Sequence, residues 1–339
     1  MERGKVTSAQ VAARAGVSQS AVSRVFTPGA SASRKTIEKV RLAAAELGYR
    51  PNVLARAMVS GKSRIIGVVV AYLENQFYPL ALERLSVALQ ARGYHILIFT
   101  AYNSIGEADA VVEEMMDYQV DGIITASVAI SSTLANRAKT AQIPVVLFNR
   151  GQNDSGLPSV TSANVAGGRK AAEFLLAGGH DRIAHIAGWQ GSSTGRDRQA
   201  GFLSALQEAG VAPFALIDGM YKRDIAMDCA RDLIAGPTRP DAIFVGNDHM
   251  AFAVMDVLRE AGLVPGRDIS VVGYDDVPLS SWGAYDLTTI RQPVNRMVDA
   301  TVEMIIDHIE TPGATPQQIE IDSELQIRSS ARIPEGWKK

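Results

Sequence analysis

The side chains best suited to bind metals or attack substrates are few and scattered in this 339-residue sequence. Its single cysteine, Cys229, can close no intramolecular disulfide and build no multi-cysteine metal site. The five histidines show neither the HExxH spacing nor any other close ligand pair; they stand at positions 95, 180, 185, 249 and 308. We therefore expect no catalytic residue, no metal and no cofactor.

Glycine-rich segments fall short of the nucleotide-binding motifs. The segment GWQGSSTG at 188–195 lacks the GxGxxG spacing of dinucleotide sites. Gly61, Lys62 and Ser63 match the last three residues of the phosphate-binding loop motif. The first glycine of that motif would fall at Arg56, so the motif is incomplete. No GxSxG nucleophile elbow follows a predicted strand. No motif in the sequence therefore supports an enzyme built on a parallel sheet.

Charge is distributed unevenly along the chain. The net charge is −2, yet residues 1–64 hold twelve lysines or arginines against three acids, a net of +9. The remaining residues therefore carry a net of −11. A basic segment on an acidic body is typical of a protein whose one part approaches phosphates, although a solvated basic surface also fits.

The basic segment has the pattern of short helices. Thr7 is placed to cap a helix over 8–15, with Gln10 completing a capping box and Gly16 ending the helix. A second helix over 19–26 follows a tight turn, which predicts a helix-turn-helix. Ser33 is placed to cap a third helix that ends at Leu47, before Gly48. Apolar residues at helical spacing supply the mutual core; they are Val11, Ala12, Ala15, Val17, Val22, Val25, Ile37, Val40, Ala44 and Leu47.

Eight apolar segments of β type follow, with amphipathic helical segments between most of them. The predicted strands cover residues 65–70, 95–101, 122–127, 145–149, 182–188, 215–219, 242–247 and 269–276. This alternation predicts parallel sheets covered by helices on both faces. So long a pattern exceeds one core, and the loop at 150–159 is a candidate boundary between two sheets. A ligand cleft is then expected beyond the carboxyl ends of the strands.

The composition is that of an ordinary globular protein, with 47% hydrophobic and 21% charged residues. No apolar run reaches the 18 or more residues that a membrane span needs, so no membrane partner is expected. The first residues, MERGKVTSAQ, lack the apolar centre of a secretory signal. A cytoplasmic location is the resulting expectation.

The head and the later segments together resemble the lactose and galactose repressor (LacI/GalR) family of bacterial transcription regulators. The head matches through VTSAQVAARAGVSQSAVSRVF and VRLAAAELGYRPNVLARAM, and later matches are VDGII, IPVV, GHDRIAHIAG, DRQAGF, PDAIFVGND, ISVVGYDD and LTTIRQPV. The resemblance covers nearly the whole chain. It implies an α/β protein with an all-α helix-turn-helix head and a hinge helix. Two Rossmann-like subdomains of periplasmic-binding-protein type follow, and the chain crosses between them more than once.

The resemblance also implies domain boundaries. The DNA-binding head covers 1–50, the hinge helix and linker 51–63, and the effector-binding and dimerisation core 64–332. Within the core, the N-subdomain takes in about 64–160 and a return segment near 291–320. The C-subdomain takes in about 164–289 and 322–332.

The family places the second helix of the head in the DNA major groove, which by correspondence assigns base reading to Gln19, Ser20 and Arg24. Arginine can donate two hydrogen bonds to guanine and glutamine can pair with adenine, although Arg24 could instead contact phosphate. The implied phosphate-positioning residues are Thr7, Ser18, Ser23, Ser33 and Lys35. The hinge would add Asn52, Ala55 and Met58, with Met58 standing where the family usually has a leucine wedge.

The family's effector contacts correspond to residues at strand ends and helix starts. They are Phe77, Tyr78, Asn149, Asn164, Ser192, Thr194, Arg198, Tyr221, Asn247 and Asp275. Aromatic faces with amide, carboxylate and guanidinium groups suit a polyhydroxylated ligand. Asn247 could instead cap a helix, Asp275 could end a strand, and the aromatic residues could belong to the core. Ala163 replaces an acidic residue that often precedes Asn164 in the family.

The function expected from these observations is a ligand-responsive transcriptional regulator, a repressor of genes for carbohydrate uptake or catabolism. Its partners would be double-stranded operator DNA, a sugar or sugar derivative, and a second copy of the chain. A solute-binding transport receptor would share the two-lobed core. It would have no use for the basic head, however, and neither would an enzyme.

Overall fold

The computed structural model describes residues 6–27, 30–50, 62–101, 105–152 and 156–338. The chain divides into two compact units, 1–63 and 64–339, which we call the head and the core. The predicted hinge contacts Asn52, Ala55 and Met58 lie outside the described residues.

Three helices form the described part of the head, as the sequence predicts. They are α1 (Ser8–Ala15), α2 (Gln19–Val25) and α3 (Arg34–Leu47). The Thr7 side chain accepts from the Gln10 amide and the Gln10 side chain accepts from the Thr7 amide, which completes the predicted capping box. Gly16 and Gly48 end α1 and α3 in the left-handed conformation that glycine adopts without strain.

A small apolar cluster holds these helices together. Its fully buried members include Val11 from α1, Val22 from α2 and Val40 from α3, one from each helix. Phe26 and Tyr49 pack at its margin with ring centroids 5.8 Å apart. Because each helix buries only one stripe, the opposite face of α2 stays exposed.

The first sheet of the core has six strands in the order β11-β5-β4-β3-β1-β2, numbered by their order in the chain. These strands are β1 (Ile65–Val70), β2 (His95–Thr100), β3 (Gly122–Ala126), β4 (Val145–Phe148), β5 (Ser159–Ser162) and β11 (Gln318–Ile321). Four helices cover it: α4 (Phe77–Ala91), α5 (Ile105–Asp117), α6 (Ser132–Thr140) and α11 (Val294–Glu310). All five strand pairs are parallel. We call this unit the first subdomain.

The second sheet has the order β12-β10-β9-β8-β6-β7. These strands are β6 (Ile183–Ala187), β7 (Ala215–Asp218), β8 (Ala242–Val245), β9 (Ser270–Asp275), β10 (Thr288–Arg291) and β12 (Glu324–Gln326). Its helices are α7 (Asn164–Ala177), α8 (Ser193–Glu208), α9 (Arg223–Ala235) and α10 (Asp248–Glu260). Only the terminal pair, β10 with β12, is antiparallel among the described strand pairs. We call this unit the second subdomain.

All eight strands predicted from apolar segments are present, and four further strands were missed. The missed strands β5, β10, β11 and β12 have three or four residues each and contain Ser, Thr, Gln, Glu or Arg, so they lack a continuous apolar run. The candidate boundary at 150–159 was placed too early. Ser159 already begins β5, which is buried within the first sheet.

The chain passes between the subdomains three times, and each passage follows a strand. It leaves β5 for α7, returns from β10 to α11, and leaves β11 for β12. Strand β11 completes the first sheet beside β5, although about 150 residues separate the two along the chain. Each sheet is therefore closed at one edge by a strand from near the C-terminus.

Two glycines allow α7 and α8 to approach closely. A Cβ added to Gly168 would overlap the Arg198 carbonyl, and one added to Gly201 would overlap the Val165 carbonyl. Both obstructions are backbone atoms, which cannot rotate away as a side chain could. This close contact sets the position of α8, from which Arg198 projects.

Within the described ranges, we find no helix with the length and apolar character that crossing a bilayer requires.

We expect Gly201→Ala to lower the free energy of unfolding by about 1 to 3 kcal/mol, because the added methyl forces the α7–α8 backbones apart. Gly106→Ala in α5 is the matched control, since a Cβ there meets no atom within 4 Å and alanine favours a helix. Urea unfolding of both variants measures the difference. Equal stability of the two would show that the helices can separate without cost.

Candidate functional site

The exposed face of α2 brings together the three residues predicted to read bases. Gln19, Ser20 and Arg24 are all exposed, and the Arg24 Nε donates to the Ser20 carbonyl oxygen at 3.4 Å. The Gln19 Nε2 donates to the Ser8 hydroxyl at 2.9 Å, while the Ser18 and Ser20 hydroxyls lie 2.9 Å apart. This face therefore presents an amide, a hydroxyl and a guanidinium to solvent.

Four of the five predicted phosphate contacts lie at helix starts, and Ser23 lies farther along α2. Thr7, Ser18 and Ser33 are the N-caps of α1, α2 and α3, and each side chain accepts from a backbone amide in the first turn. Ser23 and Lys35 are exposed on α2 and α3. Helix N-termini offer unpaired amide groups and a positive dipole end, so all three helix starts can bind phosphate oxygens.

A small polar cavity lies between the two subdomains of the core. Nine residues line it: Tyr72, Asn75, Tyr78, Asn149, Thr194, Arg198, Tyr221, Asn247 and Asp275. They come from the carboxyl ends of strands in both sheets and from the helices that follow. The cavity volume among them is only about 10 Å³. In this conformation the cavity has room for about one water.

On the first-subdomain side, Asn149 organises the cavity wall. Its Nδ2 donates to the Tyr78 hydroxyl and to the Ser127 hydroxyl, each at 3.2 Å, and the two hydroxyls bond to each other. The Asn149 Oδ1 is buried and has no hydrogen-bond partner. Burial raises the pKa of Tyr78, which keeps its phenol neutral.

On the second-subdomain side, Arg198 is fixed by partners on every side of its guanidinium. Its Nη1 donates to the Gly246 carbonyl at 2.6 Å, and its Nε donates to the Asn164 Oδ1 at 2.9 Å. The guanidinium lies 3.6 Å from the centroid of the Tyr274 ring. Asp275 completes the set, with a carboxylate oxygen 3.6 Å from Nη1.

Asp275 also joins the two subdomains. Across the cleft, the Asn75 Nδ2 donates to its Oδ2 at 3.1 Å, and the Gln292 Nε2 donates to its Oδ1 at 2.7 Å. Burial raises the pKa of Asp275, and Arg198 opposes that rise. A second contact spans the cleft beside it, where the Arg150 guanidinium lies 5.6 Å from the Trp189 ring centroid.

Backbone strain is concentrated around the cavity. Among its lining residues, Asn149, Tyr221 and Asp275 all have positive φ, at 69°, 59° and 125°. Such angles are uncommon outside glycine and persist where the surroundings hold them. The strained backbone turns these three side chains away from the paths of their strands and helices and toward the cavity.

Seven of the ten predicted effector contacts line the cavity, and three do not. Those on the cavity are Tyr78, Asn149, Thr194, Arg198, Tyr221, Asn247 and Asp275. The Phe77 ring instead stacks on Phe148 in the core, with ring centroids 6.2 Å apart. Asn164 lies behind Arg198 as its hydrogen-bond acceptor, and Ser192 caps α8 by accepting from the Gly195 amide. Ala163, at the cap position before α7, provides no capping side chain.

Sequence reasoning missed Tyr72 and Asn75, which lie in the loop between β1 and α4. A signal was available, because a loop that follows a central parallel strand is a usual ligand position. The prediction for this loop selected the aromatic pair at the helix start instead. Neighbouring helical residues point about 100° apart, so Tyr78 reaches the cavity while Phe77 enters the core.

The cavity wall contains unpaired polar atoms from two neutral side-chain amides. Asn149 Oδ1 and Asn247 Nδ2 are buried without a partner, one an acceptor and the other a donor. Buried polar atoms are normally paired, so both are suited to hydrogen bonds with a ligand. Asn247 also caps α10 through its Oδ1, at 2.9 Å from the Met250 amide. Across the part of the chain that the structure describes, no group of three metal-ligating side chains comes together.

A second buried carboxyl group, Asp248, lies behind this wall. Its Oδ2 accepts from the Val277 amide at 3.0 Å and the Ser280 hydroxyl at 2.6 Å, and the Thr289 hydroxyl is 2.6 Å from Oδ1. Burial, reinforced by the nearby Asp275 carboxylate, raises the pKa of Asp248 to about 8. The Thr289 hydroxyl donates to Oδ1, so both carboxyl oxygens accept hydrogen bonds.

Two family descriptions match this chain. Residues 9–52 match the bacterial regulatory proteins of the lacI family, and residues 172–331 match the periplasmic binding protein-like domain. The first match covers α2, α3 and all of α1 except Ser8, and the second covers most of the second subdomain together with α11 and β11 of the first.

Similarity to individual proteins extends over nearly the whole chain. The ribose operon repressor of Escherichia coli K12 is 30% identical over 330 residues, covering 96% of this chain and 99% of that protein. A crystal structure of the lac repressor dimer bound to operator and the anti-inducer ONPF superposes with a TM-score of 0.87, at 28% identity, covering 97% and 100%. A complex of the transcriptional regulator CelR with cellobiose superposes with a TM-score of 0.72 at 29% identity. The match covers 96% of this chain and 100% of the CelR chain.

We expect Asp248→Asn to stabilise the protein relative to wild type as pH rises. An aspartate in an unfolded chain titrates near pH 4. Between about pH 4 and pH 8 the folded protein keeps a proton that the unfolded chain has lost, so wild-type stability falls by on the order of 1 kcal/mol per pH unit. Asparagine cannot ionise, and the Thr289 hydroxyl can rotate to accept from its Nδ2.

Urea unfolding at pH 5 and pH 8 measures this difference, with Asp228→Asn on exposed α9 surface as the matched control. An Asp248→Asn variant that is less stable than wild type by the same amount at both pH values would contradict the prediction. It would mean that the carboxyl group is already ionised in the folded protein.

Proposed function

Because the chain belongs to the lacI family of bacterial regulatory proteins, we propose that it is a transcriptional repressor whose affinity for operator DNA is set by a small polar effector. The observation that carries this proposal is the pairing of a basic helix-turn-helix head with a buried polar cavity in the same chain. A transport receptor would use only the cavity. Two of the named relatives are repressors and the third is a transcriptional regulator, and we propose binding rather than catalysis.

The effector that best fits the cavity is a sugar or sugar derivative. Tyr78 and Tyr221 contribute phenol side chains to the lining, while Asn149 and Asn247 offer unpaired amide atoms. Hydroxyl groups can donate to one such atom and accept from the other. Among the similar proteins, one is named for the ribose operon and another is bound to cellobiose. The effector would control genes for carbohydrate uptake or catabolism.

Effector entry requires the subdomains to move. A cavity with room for about one water cannot hold a sugar, since small-molecule sites usually enclose some 300 Å³ or more. Admission must break at least the Asn75–Asp275 hydrogen bond, which joins the two sides. An effector that binds the open arrangement better than the closed one would shift the balance between them.

The proposed division of labour follows the chain. Residues 1–50 read DNA, 51–63 connect, and 64–332 bind the effector and a second copy of the chain. Within the core, we assign about 64–160 and 291–320 to the first subdomain, and about 164–289 and 322–332 to the second. One helix-turn-helix for each chain implies a homodimer on a pseudo-palindromic operator. DNA binding of this kind places the protein in the cytoplasm.

If Arg24 reads a base, Arg24→Ala should lower affinity for the operator by roughly 10- to 100-fold while affinity for random DNA stays nearly unchanged. Arg14→Ala is the matched control, because Arg14 lies on α1 in an ion pair with Glu46. Fluorescence anisotropy with both DNA probes separates the two effects. An equal loss on operator and random DNA would assign Arg24 to phosphate contact instead.

If the cavity binds the effector, Asn247→Ser should lower effector affinity about tenfold, because serine keeps the helix cap but removes the unpaired amide donor. A thermal-shift screen of sugars identifies the effector, and calorimetry measures the affinity. Asn136→Ser on α6, outside this cavity, is the control.

The same effector should change operator affinity by roughly 5- to 150-fold, and linkage requires operator to change effector affinity by the same factor. Operator binding that ignores every sugar bound by the core would contradict the repressor proposal.

A further inference from the structure

One hydrogen bond in the head connects the starts of its first two helices. The Gln19 Nε2 donates to the Ser8 hydroxyl at 2.9 Å. Ser8 is the first residue of α1 and Gln19 the first residue of α2, eleven positions apart in the chain. Gln19 is exposed while Ser8 is half-buried, so the glutamine side chain is bound back against the head.

Ser8 is itself held firmly. It follows Thr7, whose backbone and side chain both bond to Gln10 in the capping box of α1. The first residue of a capped helix has little freedom, so its hydroxyl is a fixed acceptor. Gln19 likewise directly follows the cap Ser18, which accepts from the Ala21 amide at 3.2 Å. The donor residue Gln19 and the acceptor residue Ser8 therefore both belong to ordered backbone.

The bond limits what Gln19 can offer to DNA. A glutamine side chain has two N–H donors and one carbonyl acceptor. With one N–H committed to Ser8, one N–H and the carbonyl oxygen remain for a base. Adenine presents the matching pair in the major groove, an N7 acceptor beside an N6 donor. The side chain remains able to read adenine, and it has no second N–H to pair with both guanine acceptors.

A free glutamine would discriminate less well. Its rotatable bonds would let the amide turn over and present either its carbonyl oxygen or both N–H groups to a base. Ordering it on DNA would also cost conformational entropy at the moment of binding. A side chain already held in one orientation avoids that cost and excludes the alternatives.

We propose that Ser8 is a positioning residue for base recognition, which holds Gln19 so that it reads an adenine–thymine pair in each operator half-site. The proposal rests on the proposed function, because it assumes that α2 enters the major groove. Ser8 acts through Gln19, so the two residues should behave as one unit. A phosphate contact by the Ser8 hydroxyl is the alternative that the test must separate.

The test begins with a pool of double-stranded oligonucleotides that carry a random central segment. Selection with the full-length wild-type protein defines the operator, and repeating it with Gln19→Ala identifies the base pair that Gln19 reads. Binding is then measured for Ser8→Ala, Ser8→Thr, Gln19→Ala and the double variant. The probes are the selected operator, the same operator with that pair replaced, and random DNA. Thermal unfolding checks that each variant is folded.

We expect Ser8→Ala to lower discrimination at the Gln19 base pair by about three- to tenfold, with affinity for random DNA unchanged. Ser8→Thr keeps the hydroxyl and should retain discrimination. The double variant should be no worse than Gln19→Ala alone, because the serine has nothing left to position.

Uniform weakening by Ser8→Ala on all three probes would overturn the proposal and assign the hydroxyl to phosphate. The proposal would also be overturned if the double variant lost discrimination by the sum of the two single-variant losses. Selection of a pair other than adenine–thymine would refute the stated orientation of the amide. If wild-type protein enriches no sequence at all, the proposed function itself fails, which is a different result from a wild-type operator that Ser8→Ala still reads normally.

Discussion

The arrangement of the core depends on how one buried carboxylate, Asp275, is held. Its partners come from three places in the chain: Asn75 in the first subdomain, Arg198 on α8, and Gln292 in the segment that crosses back to α11. Removing one member of such a buried charged group leaves the others unpaired at a cost of several kcal/mol. The relative position of the two sheets is therefore tied to the same atoms that line the cavity.

Two kinds of buried polar group surround that carboxylate, and they have different consequences. Asp248 has a partner for each oxygen, and it fixes the 3₁₀ turn Pro278–Ser281 to the start of α10. Asn149 and Asn247 each keep one unpaired atom. A fully paired group makes the wall rigid, while an unpaired group favours any ligand that supplies the missing bond. The cavity wall is therefore rigid at Asp248, whereas Asn149 and Asn247 each keep an atom that can form a further hydrogen bond.

The head is stabilised by a small apolar core and by its helix caps. Its apolar core takes one stripe from each helix, and the caps Thr7, Ser18 and Ser33 satisfy the first-turn amides. Because capping and packing stabilise the three helices, the exposed side chains of α2 need not contribute to stability. They can therefore contact other molecules, and the Ser8–Gln19 hydrogen bond connects α1 to this exposed face.

The sequence by itself determined whatever depends on near neighbours. Capping boxes, terminal glycines and apolar periodicity placed the three head helices and eight strands, and family correspondence placed seven cavity residues. Tertiary structure alone decided which of Phe77 and Tyr78 faces the cavity, that Asn164 accepts a hydrogen bond from Arg198, and that Asn75 reaches Asp275. Tertiary structure also decided that β5, β10, β11 and β12 are strands. Their segments are short and polar, so they become strands only when a sheet edge is already present. Local patterns fix local conformation, whereas bonds such as Asn75–Asp275, 200 residues apart, exist only after both sheets have formed.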